Sequence, residues 1–188
     1  MTIAFSTLAV VSAIVFRRGV MEDQARVNRT WLLDLLDEAF DRKSWHGANL
    51  RGSIRALTPA VAAWRPAEGR HNIWELVVHA AYWKYAVRRR LTGEKRGSFP
   101  LEGSNWWRRP QQCLAPELKR DVALLVEEHA RLRAAVDRLP AATLGKPVAG
   151  NGLTHIALIR GIAAHDLYHA GQIQLIKRLA LQNATPSL

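Results

Sequence analysis

From Leu153 to Leu181 the chain runs without a proline, and its apolar residues recur at three- and four-residue spacing. That pattern predicts one long amphipathic helix, whose apolar face must be covered by other elements. Leu158, Ile162, His165, His169, Gln172 and Ile176 fall on that face. Two histidines therefore interrupt an inward-facing stripe, and being four apart they lie one above the other. Imidazoles turned into a core need partners, and a metal ion is a good one.

The remaining chain predicts further helices. Glu22 to Phe40 carries an apolar face of Trp31, Leu32, Leu35, Leu36, Ala39 and Phe40, and Ser44–Gly47 breaks it. Leu50 to Leu57 reads as a helical turn or two. Thr58-Pro59-Ala60 opens a short helix, with threonine as cap and proline at the first position, ending near Trp64. His71 or Asn72 caps a helix from Ile73 to about Leu91, with Ile73, Leu76, Ala80, Trp83 and Val87 inward and His79 on or beside that face. Lys95 to Pro116 holds Pro100, Pro110 and two tryptophans, Trp106 and Trp107. It reads as a long loop with the tryptophans as packing anchors, and loops of this length are often lids. Pro116 to Arg138 aligns Leu118, Val122, Leu125, His129, Leu132 and Val136 in one stripe. The last helix runs from Leu153 to about Gln182, with Thr154 or Asn151 near its cap and residues 183–188 as tail. No strand alternation and no repeat is evident. Four long helices with one longer crossover predict an all-α four-helix bundle.

In a bundle, ligands converge from facing helices. His79, on a different helix from His165 and His169, is the best third ligand. Three neutral imidazoles suit zinc or nickel first, with iron, manganese or copper as alternatives. Three protein ligands leave a position open, where a water or a thiol can lose its proton near neutral pH. The spacing alone leaves open two core histidines satisfied by backbone or water. It lacks the glutamate of HExxH, which disfavours a zincin-type protease.

Other residues carry lesser expectations. Gln172, one turn beyond His169 on the same face, is a candidate to orient a ligand imidazole. Asp166 follows His165 and could hydrogen-bond a ligand imidazole, but it points about 100° away, so a solvated or inter-helix role is expected of it. Glu75, four before His79, could be a fourth ligand or a base, although a glutamate near a helix start also suits the macrodipole. His129 is an alternative ligand whose ordinary role is a satisfied core histidine. His46, His71 and His155 fall at helix ends or in loops and read as structural or exposed. Tyr168 either lines the pocket or packs at a dimer face.

The chain's 188 residues, 48% of them hydrophobic, suffice for one domain with a substantial core. A single cysteine, Cys113, excludes an intrachain disulfide and thiolate metal cages, and it has no predictable partner base. The formal charge of +11 favours acidic partners. Arg88, Arg89, Arg90, Lys95 and Arg96 form the densest basic cluster, to which a nucleic-acid face would add Trp106, Trp107, Arg108 and Arg109. No nucleic-acid reading motif accompanies it, so a solvated helix end is the expected reading, with nucleic-acid binding as an alternative. A small-molecule substrate is the partner expected of the open metal position.

Residues 1–20 are an apolar leader. Ile3 to Phe16 is too short for a confident span, and Arg17-Arg18 follows it rather than preceding it as in a signal peptide. The expectation is true initiation at Met21, with a weak membrane anchor or a disordered tail as alternatives. Residues 21–188 then form the helical domain, in a cytoplasmic protein.

The stretch His165-Asp166-Leu167-Tyr168-His169-Ala170-Gly171-Gln172-Ile173, with Ile73-Trp74-Glu75-Leu76-Val77-Val78-His79 upstream, resembles the DinB-like superfamily. Trp45-His46-Gly47, Leu57-Thr58 and Ala63-Trp64-Arg65-Pro66 resemble the same proteins. The resemblance spans roughly Met21 to Arg178. It implies a four-helix bundle, often dimeric, with a divalent metal held by three histidines, which map to His79, His165 and His169. Some members are thiol-dependent transferases using bacillithiol, mycothiol or glutathione, and one branch isomerises maleylpyruvate. A low-molecular-weight thiol co-substrate is therefore implied, with transferase or hydrolase chemistry. Family members named for induction by DNA damage are not thereby DNA-binding.

Overall fold

Asn72 sets the start of the most central helix. Its side chain accepts a hydrogen bond from the Glu75 amide at 2.8 Å while its own amide donates to the Ala63 carbonyl. The computed structural model describes residues 24, 26–150 and 152–184. Helix α1 covers 26–40, α2 is Leu50–Ser53, α3 is Pro59–Ala63, α4 is Ile73–Thr92, α5 is Ala115–Arg138 and α6 is His155–Ala184. A 3₁₀ turn, Ala141–Thr143, and an isolated bridge between Pro147 and Thr154 lie between α5 and α6. The expected leader, residues 1–20, and the proposed start at Met21 lie outside the described residues.

Local chemistry explains the boundaries. Thr58 caps α3 with Pro59 in its first turn. Gly93 ends α4 at φ 75°, a left-handed conformation that glycine adopts without steric cost. Thr154 Oγ1 accepts from the Ala157 amide, so α6 begins two residues later than its apolar pattern suggests. Helix α2 is a single turn rather than reaching Leu57. Asn49 caps it, and the chain then turns through Ala56 at φ 54°.

The side-chain contacts fix the directions of the helices. Trp74 bonds Asp121 and Lys84 approaches His129, so α4 and α5 run parallel. His79 meets His165 while Val87 and Leu91 share a cluster with Leu158 and Ile159, so α6 runs antiparallel to α4. Arg29 reaches the Leu139 carbonyl and Arg133 bonds Asp37, so α1 runs antiparallel to α5. Two parallel sequential helices require the chain between them to return along their whole length. Residues 93–114 make that return and cross the N-terminal half of α4.

The core has two main parts. Leu32, Leu36, Val87, Leu132, Val136, Ile159 and Ile162 join all four long helices at one end. Phe40, Leu50, Ile73, Val77, Leu125 and Ile173 do so at the other. Helix α4 is buried on nearly every side, including Trp74, Val77, Val78 and Ala81. The five-residue face predicted for it was too narrow, because the crossover covers what a bundle would otherwise leave to solvent. No helix among the described residues is long and apolar enough to cross a membrane.

Candidate metal centre

Helices α4 and α6 bring His79, His165 and His169 together. The Nε2 atoms of His79 and His165 are 3.2 Å apart, and those of His169 and His165 are 3.0 Å apart. The three candidate donor atoms lie within 4.8 Å of one another, so the group could hold a metal ion. His79 and His169 are buried and His165 is half-buried.

The outer ring nitrogens decide which atoms face inward. His79 Nδ1–H donates to the Asn105 carbonyl at 2.7 Å, and His169 Nδ1–H donates to the Gln172 carboxamide oxygen at 2.7 Å. A neutral imidazole carries one N–H, so both rings present a lone pair at Nε2. His165 Nε2 sits between those two lone pairs, while its Nδ1 is buried without a hydrogen-bond partner. Burial first, then the neighbouring His169 and His79, holds His165 down to about 3. Burial likewise lowers His79 to about 4, against the opposing Asn105 bond. A neutral His165 can donate an Nε2–H to one of those two lone pairs but not to both, whereas a cation at the centre would be met by all three Nε2 atoms. The donor set fits a divalent metal with three imidazole ligands.

The crossover loop closes over the site. Trp106 stacks on His79 with ring centroids 3.7 Å apart, and on its other face it stacks on His71 at 3.6 Å. Trp107 instead packs with Tyr82 and Phe99. Beyond Trp106 opens a cavity of about 830 Å³, lined by Arg65, Arg70, His71, Glu75, Arg108 and further loop residues.

Glu75 stands apart from the histidines. Its carboxylate is gripped by Arg65 through both oxygens, by His71 Nδ1 at 3.0 Å and by the Arg109 amide at 3.1 Å. Burial alone pushes it up, but these partners outweigh burial and hold it at about 2. It is an anchor for the crossover loop. Asp166 is fully buried and ion-paired with the equally buried Lys84, so its role is the inter-helix one and the solvated alternative falls away. His129 stacks on Phe40 at 3.7 Å, with Lys84 Nζ 3.3 Å from its Nδ1. It lies on the Lys84 side, outside the histidine trio. His46 is exposed, and His155 bonds the Lys146 carbonyl. Tyr168 is 63% exposed, with its ring edge-on to His169. Burial pushes the Cys113 thiol up, away from nucleophilic use.

The basic cluster is divided: Lys95, Arg96 and Arg108 are exposed, while its three consecutive arginines are engaged within the fold. Arg88 is buried and paired with Glu94 and Glu128, Arg89 bonds the Glu94 carbonyl, and Arg90 lies over the Trp83 ring. Sequence reasoning missed Lys84 and Asn105. A lysine within the apolar run Ala80–Val87 was a usable sign of a buried partner. Asn105 gave none, because its role depends on where a loop lands.

These features define a helical protein with a histidine cluster clamped between two antiparallel helices and sealed by a crossover. The chain belongs to the DinB superfamily, whose family model matches residues 25–173 and so includes all three histidines. No curated protein and no solved structure matches it.

Proposed function

We propose that this chain is a metal-dependent enzyme acting on a small molecule, with one divalent metal held by Nε2 of His79, His165 and His169. The observation that carries the reading is the convergence of three Nε2 atoms, two of them on buried histidines and committed to lone pairs by their outer hydrogen bonds. Zinc or nickel suits the donors best, with iron, manganese or copper behind them. A divalent cation held by three imidazoles acidifies a thiol or water at its open position, the chemistry of a thiol-dependent transferase or a hydrolase. The chain's own residues orient and shield. Asn105 and Gln172 fix two imidazoles, and Trp106 keeps water from one face of His79. The cavity beyond Trp106 has room for a small substrate, and its arginines suit an anionic group such as that of a low-molecular-weight thiol. A cytoplasmic homodimer belongs to the same reading. Tyr168 and Leu175, exposed two turns apart on one face of α6, offer a surface for the second copy.

The test is elemental analysis of the purified protein beside His79→Ala, His165→Ala and His169→Ala. Near-stoichiometric metal in the parent, lost in all three variants, is the expected result. A parent that is metal-free and takes up neither zinc nor nickel sinks the proposal. The close cover over His79 and His169 favours a second reading, in which the metal only stabilises the helices. In that case His79→Ala lowers Tm and no thiol-dependent turnover is found with the loaded protein.

A further inference from the structure

Asn105 has a backbone φ of 68°, in the left-handed region. Among non-glycine residues asparagine tolerates that region best, and β-branched residues tolerate it worst. This conformation coincides with two contacts. The Asn105 carbonyl accepts from His79 Nδ1–H, and its side-chain oxygen accepts from Trp83 Nε1 at 2.9 Å. The next residue, Trp106, stacks on the His79 ring with an interplanar angle of 12° and so fixes the ring plane in which Nδ1 points.

We infer that Asn105 is a positioning residue for the histidine cluster: its left-handed backbone aims a carbonyl at His79 Nδ1, fixes the tautomer that leaves the Nε2 lone pair facing inward, and so ties metal affinity to the seating of the crossover loop. The metal part rests on the function proposed above, whereas the tautomer part does not. His79 differs in this from His169, whose orienting partner, Gln172, sits on the same helix three residues on. His169 is thus set by α6 alone. His79 is set by a segment 26 residues away in sequence, which gives the loop control over one ligand of three.

The experiment uses the full chain with three substitutions, Asn105→Gly, Asn105→Ala and Asn105→Val. Glycine keeps the left-handed backbone and its carbonyl but loses the amide. Alanine strains that backbone, and valine strains it more. Histidine-ring ¹H–¹⁵N correlation spectra of the metal-free protein report the His79 tautomer. Competition with a chromophoric chelator reports zinc affinity, and the cobalt(II) absorption spectrum reports the ligand set. The parent and the glycine variant are expected to show the Nδ1–H tautomer and similar zinc affinity. The alanine and then the valine variant are expected to lose both progressively, reaching roughly 10–100-fold in affinity. Tautomer and affinity unchanged in the valine variant overturn the inference. So does a glycine variant as impaired as valine, which assigns the effect to the side-chain bond with Trp83. Should the valine variant fail to fold, the glycine–alanine comparison decides alone. A parent that binds no metal but shows the expected tautomer series overturns the metal reading and leaves the positioning role standing.

Discussion

Gln172 and Asn105 perform one task from two sources, and the difference matters at the level of single residues. Each supplies an oxygen to the outer nitrogen of an imidazole, which raises the donor strength of the inner one. Gln172→Leu removes the acceptor on a helix that otherwise stays intact. The expected outcome is a zinc affinity reduced roughly 10–100-fold with little change in the melting temperature of the metal-free protein, measured by chelator competition and differential scanning fluorimetry. An unchanged affinity would mean that the α6 backbone alone orients His169. This is also where the reach of the sequence is clearest. His165, His169 and Gln172 share one helical face, so periodicity brought them together. His79 required only that a second helix lie alongside. Asn105 and Lys84 were invisible as functional neighbours because nothing local specifies a loop's landing point or the partner of a buried charge.

Between elements, Lys84 and Asp166 tie α4 to α6 through a buried ion pair. Both are fully buried, and the carboxylate lies one residue from His165. Burial pushes each toward its neutral form while the ion pair opposes that. Breaking such a pair from one side strands the other group. Lys84→Met is therefore expected to cost about 3–5 kcal/mol in urea denaturation. The Lys84→Met/Asp166→Leu double variant is expected to cost much less than the sum of the two singles, because no charge is left stranded. Additive losses would show that the two side chains do not act as a pair. The register they set also places His79 against His165, so the single variants should lose metal affinity along with stability. The long helices were legible from their stripes. The parallel course of α4 and α5 was not, because it appears only when the crossover is seen to span their length and cover the fourth side of α4.

Taken as a whole, the molecule folds around imidazoles that burial keeps neutral, and this sets its response to acid. His129, away from the proposed ligands, shows the effect most simply. Burial first, then Lys84 and Arg133, lowers it from 6.5 to about 2. In the unfolded chain it binds a proton below about 6.5, while in the folded protein it stays neutral far below that. The unfolded state therefore holds more protons in this range, and stability falls as pH drops below 6.5. Down to pH 5 this one residue accounts for a loss of about 2 kcal/mol. Glu75 acts lower. Its folded value near 2 lies below the unfolded 4.5, so its contribution is present above 4.5 and lost as pH falls from there toward 2. The two windows separate experimentally. Urea unfolding of the metal-free protein at pH 7.5, 6 and 5 should already show a decline, before any carboxylate of ordinary pKa titrates. His129→Asn, which cannot protonate, should start less stable at pH 7.5 because it loses the stack on Phe40. It should then decline less steeply, so that the gap between it and the parent narrows by about 2 kcal/mol at pH 5. A gap that stays constant across the series would mean that His129 protonates without cost in the folded state, and the buried stack with Phe40 and Lys84 would have to open to let it.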